Sequence, residues 1–317
     1  MLTGEVYAMK LVLYDGYKPG LLKDGSVVDL SGVVQPVQAK RPEYERRAAQ
    51  ETMEEIIYNW ESLRPKVEEA SQAGAPAPHA LSSVKLRSPL PKPGKVIAMG
   101  VNYLEFTQGP PQPIMVFLKS PEAVPDPGDT ITLPPHEFTI CHHEAELTVV
   151  IGKKARNVPQ AQWQDYVFGY TCGVDVSARG QWGGNVFIGK SFDGFNPLGP
   201  CITTKDEIPD PHNLQVRFFV DGQPRHDYNT SDMAHKIPEC IEYCSSIMTL
   251  LPGDVIMLGT NHQGIGPLQD GETAEMEVQE VGPRLSFKVS DPQKRSWPKA
   301  IDKQMADMVR SRFAPRP

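Results

Sequence analysis

Short apolar runs, broken at close intervals by turn-forming pairs of residues, set the pattern at the start of the 317-residue sequence. Over residues 10–34, strand-like segments such as LVLY alternate with polar positions, which predicts a small antiparallel β unit. Pairs of Asp or Pro with Gly mark the tight turns expected between its strands. These pairs are Asp15-Gly16, Pro19-Gly20 and Asp24-Gly25.

The pattern changes to a helical period over residues 41–70, where apolar side chains recur every three or four positions among many charges. We therefore predict one amphipathic helix there. Residues 73–93 are rich in Pro, Ala and Ser, which predicts a linker or an extended strap along the surface. These segments predict a small N-terminal β unit with a helix over residues 1–85 and a larger domain over residues 86–317.

The larger domain combines many short strands with few helices. Strands are predicted at residues 95–103, 115–119 and 146–152. Two hairpins are expected, around Asp221-Gly222 and Gly282-Pro283. Helices are predicted within residues 160–177, 237–259 and 296–317. This order of elements indicates a β-rich α+β fold.

Charge, apolar runs and cysteine content argue against a nucleic-acid-binding, membrane-spanning or disulfide-rich protein. The net charge is −7 and the Lys and Arg residues are scattered, so no basic stripe indicates nucleic acid or an anionic membrane. No apolar run has the length that spans a bilayer, and the N-terminus lacks a signal-peptide pattern. The five cysteines form no C-x-x-C pair and match no disulfide framework, which predicts reduced thiols in a cytoplasmic protein.

Two glutamates stand two positions apart in HHEAELTVVIG, immediately before an apolar strand. Residues i and i+2 of a strand point to the same face, so Glu144 and Glu146 would project together while Ala145 faces the core. Two like charges favour a shared hard cation, and Mg²⁺, Mn²⁺ and Ca²⁺ prefer such oxygen ligands. The alternative is a solvated strand face, on which water screens both carboxylates.

Asp175 and Lys190 are further candidates for the same site. Asp175 lies in the apolar segment GVDVSAR, where an unpaired charge is costly, so it would need a cation or the neighbouring Arg179 as its partner. Lys190 lies between Gly and Ser beside aromatic residues. It would either point, partly buried, into a site or lie in a surface turn.

Six stretches follow one another along the sequence: HHEAELTVVIGK, GYTCGVDVSAR, GKSFDGFNPLGP, FFVDGQPR, TLLPGDVIMLGT and GIGPLQDGE. In this order they resemble the fumarylacetoacetate hydrolase superfamily, and the His-His-Glu-x-Glu-Leu form is most similar to its acylpyruvase branch. The resemblance covers residues 95–289. It implies a fumarylacetoacetase-like roll of mixed β-sheets around a metal site, with a small N-terminal α/β unit, and a homodimer.

The resemblance also implies roles for individual residues. Glu144, Glu146 and Asp175 would bind one Mg²⁺ or Mn²⁺ ion per subunit, and Arg179 and Lys190 would hold the 2-oxo-carboxylate end of a small-molecule substrate. Such an ion can chelate a 2-oxo acid and stabilise the enolate that forms when the neighbouring C–C bond breaks. The candidate substrate-binding residues are Tyr103, Gln181, Thr260 and Asn261.

The chain departs from the family at a stretch that usually reads Asn-Tyr-x-x-His-x-x-Glu, whose His and Glu activate water. Residues 102–109 read NYLEFTQG, so Phe106 stands nearest the place of the histidine and cannot accept a proton. Glu105, His142 and His143 are candidates for a substitute base, each with a solvated or structural role as the alternative. The familiar Arg-Asp-x-Gln is also replaced, by the sequence Arg-Gly-Gln-Trp at residues 179–182.

The sequence thus predicts a metal-dependent hydrolase that cleaves a C–C bond in an acylpyruvate-like 2-oxo or β-diketo acid. The candidate catalytic residues are Lys190, Arg179, Glu105 and His143. His226 and His262 lie in loops that could border the pocket. The alternatives are a decarboxylase or isomerase of a 2-oxo dicarboxylate on the same metal site, and a silent relative that binds metal and ligand. Loops at residues 104–112 and 181–186 would bind the distal half of the substrate.

Overall fold

The computed structural model describes residues 9–72, 78–180 and 185–313 and has the predicted α+β class with mixed sheets. Its strands in the described residues are β1 (Lys10–Tyr14), β2 (Lys18–Lys23), β3 (Ser26–Asp29), β4 (His79–Ala80), β5 (Leu86–Arg87), β6 (Val96–Gly100), β7 (Met115–Lys119), β8 (Thr130–Thr132), β9 (Ile140–His143), β10 (Ala145–Ile151), β11 (Val167–Val174), β12 (Ser177–Arg179), β13 (Leu198–Thr204), β14 (Gln215–Val220), β15 (Gln223–Asn229), β16 (Val255–Met257), β17 (Gly266–Pro267), β18 (Thr273–Val278) and β19 (Leu285–Ser290). The α-helices are α1 (Glu45–Tyr58), α2 (Trp60–Gln72), α3 (Val186–Lys190), α4 (Ile237–Ile247) and α5 (Lys303–Arg310).

The strands form three sheets. The largest has the order β4-β3-β2-β1-β13-β11-β10-β16-β6-β7, with β5 paired to β1. A five-stranded sheet has the order β15-β14-β18-β19-β8, and a small one has the order β12-β9-β17. Neighbouring strands are antiparallel except in two parallel pairs, β16 with β6 and β19 with β8. Both hairpins predicted for the larger domain, β14–β15 and β18–β19, are present.

Two apolar cores lie on the two faces of the largest sheet. One contains Leu147 and Val149 of β10 with Phe218 of β14, between this sheet and the five-stranded sheet. The other contains Val150 of β10 with Met53 of α1. Strand β10 is therefore buried along its whole length, which accounts for its continuous apolar run.

The N-terminal strands extend the largest sheet rather than forming one of their own. Strand β1 pairs with β13, Leu11 opposite Ile202, so the sheet runs across the boundary predicted between residues 85 and 86. The division into two domains stays a prediction. No helix in the described ranges is long and apolar enough to cross a membrane.

The Pro19-Gly20 pair does not form a turn, which corrects the sequence prediction. Both residues lie within β2 and pair with β1. Glycine fits here because a Cβ atom at Gly20 would lie only 2.7 Å from Val27 Cγ1 on the neighbouring strand. The other two pairs do form turns, in which Asp15 and Asp24 have φ values of 48° and 47°.

The single helix predicted over residues 41–70 is interrupted. Helix α1 ends at Tyr58 and α2 begins at Trp60, and the intervening Asn59 bonds back to Glu55 O through its amide at 3.0 Å. Such local side-chain bonds compete with continuation of the helix. The helix predicted within residues 160–177 is a 3₁₀ turn, Gln160–Tyr166, that precedes β11. Of the predicted linker or surface strap, residues 73–77 lie outside the described chain and residues 88–91 are buried.

Asn102 joins the loop after β6 to two other segments. Its Nδ2 donates to Leu258 O at 2.9 Å and to His235 O at 3.1 Å, and its Oδ1 accepts from His235 N at 2.9 Å. The side chain is buried, so these main-chain groups have little access to water as a replacement. The amide therefore fixes the loop that follows β16, which borders the site described below.

We expect Asn102→Ala to lower the free energy of unfolding by about 2–4 kcal/mol, because two or three buried main-chain groups lose their partner. Urea denaturation followed by circular dichroism measures this loss. Asn213→Ala, in an exposed loop, is the matched control and should change the free energy by less than about 0.5 kcal/mol. Equal stability of the two variants would contradict a fixing role for Asn102.

Candidate metal and substrate site

Glu144, Glu146 and Asp175, the acidic triad, lie together at one end of the largest sheet. Glu144 lies between β9 and β10, Glu146 is the second residue of β10, and Asp175 directly follows β11. Ala145 pairs with Val174, so the ends of two neighbouring strands bring the carboxylates side by side. One oxygen atom of each lies within 4.8 Å of the others. The exposed fractions are 6%, 1% and 1%, which exclude a solvated strand face.

Three cations surround the acidic triad. Lys190 Nζ donates to Glu144 Oε2 at 2.9 Å and to Asp175 Oδ2 at 2.6 Å. The Arg179 guanidinium donates to Glu144 Oε1, and Lys119 Nζ donates to Asp175 Oδ1. Asp175 is therefore paired by two lysines. Lys190 belongs to α3 and is buried, so it is not a surface lysine in a turn.

Glu146 is the least compensated member of the triad. Burial opposes ionisation of Glu144, but Lys190 and Arg179 outweigh it and hold the pKa of that carboxyl well below its ordinary value. Burial, with the two neighbouring carboxylates, raises the pKa of Glu146 well above its ordinary value. Among the described residues, its hydrogen-bond donor is Gly259 N–H, 2.5 Å from Oε2.

This donor set fits a divalent cation. Carboxylate oxygens are the ligands that Mg²⁺ and Mn²⁺ prefer, and three of them converge in a buried place. An ion there would also neutralise the charge that raises the pKa of Glu146. The acidic triad can therefore hold a divalent metal.

His142 orients Arg179. Arg179 Nε donates to His142 Nδ1 at 3.2 Å, and His142 Nε2 donates to Asp302 Oδ2 at 3.0 Å. Burial and the neighbouring guanidinium lower the pKa of His142 to about 4, so its ring is neutral and can accept from Arg179. The Arg179 side chain remains 28% exposed, so part of its donor fork can meet a ligand.

Glu105 and His262 form a buried pair beside the acidic triad. Glu105 is fully buried, which excludes a solvated loop position. Its Oε1 accepts from His262 Nδ1 at 2.8 Å, and its Oε2 accepts from His262 N and Gln263 Nε2, both at 2.9 Å. His262 follows three positions after Gly259, whose N–H donates to Glu146, so the pair belongs to the loop that contacts the triad.

Asp232 connects the two loops that supply this pair. It accepts from Phe106 N at 3.2 Å and from Asn261 Nδ2 at 2.7 Å. Glu105 and Phe106 have φ values of 57° and 58°, a region that residues other than glycine rarely adopt. The turn directs Glu105 inward, while Phe106 is 52% exposed.

The predicted substrate-binding residues occupy different environments. Tyr103 is buried against Tyr228, with ring centroids 4.9 Å apart. Thr260 and Asn261 are each 1% exposed in the loop after β16. Both polar atoms of the Asn261 side chain have protein partners, Asp232 and the main chain of the following 3₁₀ turn. Gln181 lies outside the described residues.

His143 lies in the interior with another histidine. Its ring stacks on Phe218, with centroids 4.3 Å apart, and its Nδ1 lies 3.1 Å from His226 Nε2. Burial lowers the pKa of His143 well below its ordinary value and that of His226 to about 4. Both rings are therefore neutral, and neither hydrogen-bonds a triad carboxylate in the described part of the chain.

Lys119 is absent from the residues predicted for the site. Its Nζ reaches Asp175 and also donates to Phe195 O at 2.9 Å. The signal in the sequence is weak, because MVFLK reads as an ordinary strand that ends in a lysine. In the structure the burial of this strand is the reverse of what residue type predicts. The charged Lys119 is 2% exposed, whereas the apolar Met115 and Leu118 are 43% and 45% exposed.

Comparisons with known proteins agree with this fold. A crystal structure of maleylpyruvate hydrolase from Sphingobium sp. SYK-6, in complex with manganese(II) ion and pyruvate, matches with a TM-score of 0.77 at 35% sequence identity. The match covers 89% of this chain and 99% of that chain. A second crystal structure of maleylpyruvate hydrolase from the same organism also matches with a TM-score of 0.77, at 34% identity over 89% of this chain and 100% of that chain.

Two curated relatives extend the comparison. Maleylpyruvate hydrolase from Aquipseudomonas alcaligenes is 37% identical over 219 residues, which are 64% of this chain and 75% of the relative. The 4-hydroxyphenylacetate degradation bifunctional isomerase/decarboxylase from Escherichia coli is 40% identical over 213 residues, 64% of this chain and 48% of that protein. The family model "Fumarylacetoacetate (FAA) hydrolase C-terminal" matches residues 95–288, more than half of the chain, and the protein therefore belongs to the fumarylacetoacetate hydrolase family.

Proposed function

We propose that this protein is a divalent-metal-dependent hydrolase that cleaves the C–C bond of an acylpyruvate. The observation that carries the proposal is the buried acidic triad with Lys190 and Arg179 directly against it. A metal held by the triad would act as a Lewis acid on a bound 2-oxo acid and would stabilise its enolate. Mg²⁺ and Mn²⁺ accept the same oxygen ligands, and we propose one such ion per subunit.

The two flanking cations suit a substrate that carries a carboxylate. Arg179 presents an exposed part of a planar donor fork, which matches a carboxylate in bidentate geometry. Lys190 already binds two carboxylates and can exchange one of them for the carboxylate of a ligand. Thr260, which follows the Glu146 donor Gly259, and the buried Tyr103 would complete the binding of the 2-oxo acid.

The relatives support this substrate class. Two maleylpyruvate hydrolases are among them, and the Sphingobium enzyme holds manganese(II) and pyruvate together. Pyruvate is the product half that every acylpyruvate shares. We therefore assign the triad end of the site to the pyruvate half of the substrate. We assign the acyl half to residues 104–112 and 181–186, of which residues 181–184 lie outside the described chain.

The reaction balances with water alone. Water adds to the acyl carbonyl carbon, the bond from that carbon to the neighbouring methylene carbon breaks, and its electron pair passes to the 2-oxo acid as an enolate. The enolate takes up one proton at carbon and becomes pyruvate. An acylpyruvate anion and water thus give the carboxylate of the acyl half, pyruvate and one proton.

Turnover of an acylpyruvate panel in ¹⁸O-labelled water, with Mn²⁺ or Mg²⁺ present, tests the proposal. We expect one ¹⁸O atom in the acid released from the acyl half, because water forms the new C–O bond there. Mass spectrometry of that acid measures the label, and protein treated with a chelator is the control. Release of CO₂ without a labelled acid would replace hydrolysis by decarboxylation. Oxalate binding with Mn²⁺ but no turnover of any member would indicate a silent relative.

A decarboxylase or isomerase of a 2-oxo dicarboxylate is the second candidate. The Escherichia coli relative is named a bifunctional isomerase/decarboxylase. Phe106 stands where hydrolytic relatives are expected to have histidine, and reactions of this second kind need no activated water. The same metal-stabilised enolate would serve both reactions.

We also propose that the protein is a cytoplasmic homodimer. Strand β7 ends the sheet order among the described strands and packs against α3, and three apolar side chains of these two elements are exposed: Met115, Leu118 and Phe187. An apolar edge of this kind favours burial against a second copy. The five cysteines are buried free thiols, as expected in a reducing compartment. A monomer mass in sedimentation equilibrium would contradict the dimer.

A further inference from the structure

We propose that His262, positioned by Glu105, moves the protons of the reaction in place of the histidine missing at Phe106. This inference rests on the proposed hydrolysis and adds the residue that activates water. His262 would be the catalytic residue and Glu105 the positioning residue. The two side chains come from loops 157 positions apart and meet beside the acidic triad.

The hydrogen bonds of Glu105 set the tautomer of His262. Glu105 Oε2 accepts from His262 N–H and from Gln263 Nε2, so both of these donors fix the position of the carboxylate. Its other oxygen lies 2.8 Å from His262 Nδ1, which must therefore carry the hydrogen. The lone pair of a neutral His262 then lies on Nε2, the atom that can accept a proton.

The Nε2 atom of His262 is the ring nitrogen that does not contact Glu105. It has no hydrogen-bond partner in the part of the chain that the structure describes, and the His262 side chain is 8% exposed rather than sealed. Gly259, three positions earlier, donates to Glu146. Three residues span at most about 10 Å, so His262 starts from within that distance of the triad.

The backbone around the pair is held against its own preference. Glu105 and Phe106 are consecutive residues other than glycine at positive φ, a backbone conformation that such residues rarely adopt. Asp232 compensates by bonding Phe106 N and the Asn261 amide, which fixes one loop to the other. Strain kept in place by such bonds is typical of functional sites.

The other candidate histidines lack an accessible basic nitrogen. Both nitrogens of His142 are bonded, one to Arg179 and one to Asp302. The Nδ1 of His143 bonds His226, and its Nε2 is buried without a hydrogen-bond partner among the described residues. Among these candidates, His262 combines a carboxylate partner at Nδ1 with an Nε2 atom that has no hydrogen-bond partner in the described residues.

We assign the following proton movements to His262 in the proposed hydrolysis. His262 Nε2 takes a proton from the attacking water as the oxygen bonds to the acyl carbon. Glu105 stabilises the resulting imidazolium and stays ionised, as a carboxylate behind a catalytic histidine does. After the C–C bond breaks, Nε2 returns a proton to the methylene carbon of the pyruvate enolate.

His262→Asn tests the catalytic role, because the asparagine amide can still donate to Glu105 while the Nε2 position is removed. We expect kcat with the best acylpyruvate to fall by about 10²–10⁴, the usual contribution of a general base. The KM and the Mn²⁺-dependent affinity for oxalate should stay within about threefold of the wild-type values, because the contacts that bind the ground state are unaffected. His235→Asn is the matched control: His235 also pairs with a glutamate, Glu239, at 3.1 Å, and its other nitrogen bonds Gln112 O.

Two further measurements separate this proposal from the hydrolysis on which it rests. Nitrogen-15 NMR of the metal-free protein should show the hydrogen of His262 on Nδ1, and Glu105→Gln should weaken that preference. Exchange of the methyl protons of pyruvate in D₂O with Mn²⁺ should be lost in His262→Asn and kept in His235→Asn. If wild-type protein exchanges these protons but hydrolyses no acylpyruvate, the hydrolysis fails and the proton-transfer role stands. Full exchange and turnover in His262→Asn, or a hydrogen on Nε2, would overturn the role of His262.

Discussion

Glu146→Gln is expected to lower the affinity for Mn²⁺ by more than about 100-fold, since even partners outside the inner sphere of a metal change affinity 10–100-fold. The substitution removes one of three converging carboxylates, and the glutamine oxygen can still accept from Gly259 N–H. The fold should therefore persist. Isothermal titration calorimetry with Mn²⁺ measures the affinity, and Glu43→Gln on the exposed surface is the control. Unchanged Mn²⁺ affinity would show that the triad is not the metal site.

The same variant should be more stable than the wild type when no metal is present. Burial and the neighbouring carboxylates raise the pKa of Glu146, so its ionised form is less favourable in the folded than in the unfolded protein. This charge destabilises the fold at pH values above the ordinary pKa of a glutamate and has no effect below it. At neutral pH the Tm of metal-free Glu146→Gln should rise by about 2 °C or more, and near pH 4 the difference should vanish. Mn²⁺ at a concentration that saturates only the wild type should reverse the order, because the wild type then gains more stability from the ion than the variant does.

Lys190→Met is expected to separate metal binding from catalysis. Lys190 competes for two oxygens of the triad, so its removal should tighten Mn²⁺ binding by about tenfold, the effect of about 1.4 kcal/mol. The substrate carboxylate loses a charged partner, and kcat/KM should fall by about 10–150-fold, equivalent to 1.5–3 kcal/mol. Steady-state kinetics at saturating Mn²⁺ and calorimetry measure the two effects.

The exposed Lys154→Met serves as the control for the loss of one lysine charge. It should leave both the Mn²⁺ affinity and kcat/KM within about twofold, because surface charges are screened. If Lys190→Met weakened Mn²⁺ binding, the lysine would be supporting the carboxylates rather than competing for them. An unchanged kcat/KM would remove Lys190 from substrate binding.

The acidic triad could be predicted from sequence because its geometry is local. The i, i+2 spacing of Glu144 and Glu146 puts both on one face of a strand, and Ala145 and Leu147 do pack in the core on the other side. Asp175 was placed with them by family resemblance and by the cost of an unpaired charge. What the spacing could not decide was burial, since E-x-E is equally common on solvated strands.

Contacts between distant segments were not predictable in the same way. The bond between Glu105 and His262 depends on how two loops fold over one end of the sheet, and neither loop has a periodic pattern. Lys119 was missed because its burial depends on α3 packing against β7. The Pro19-Gly20 pair has ordinary turn chemistry, but in the fold both residues pair with β1, and Gly20 leaves room for Val27 on the neighbouring strand.

The hydrogen-bonded pair of Glu105 and His262 has a consequence for assigning activity from family membership. Two residues that are far apart in the sequence can lie at the same place in the fold. A general base can therefore be supplied from a different segment of the chain and still perform the same proton transfer. A comparison of sequences that checks each catalytic position separately would classify such a chain as catalytically inactive. Sorting the members of a family into working and degenerate enzymes therefore requires inspection of what stands around the metal, whichever segment contributes it.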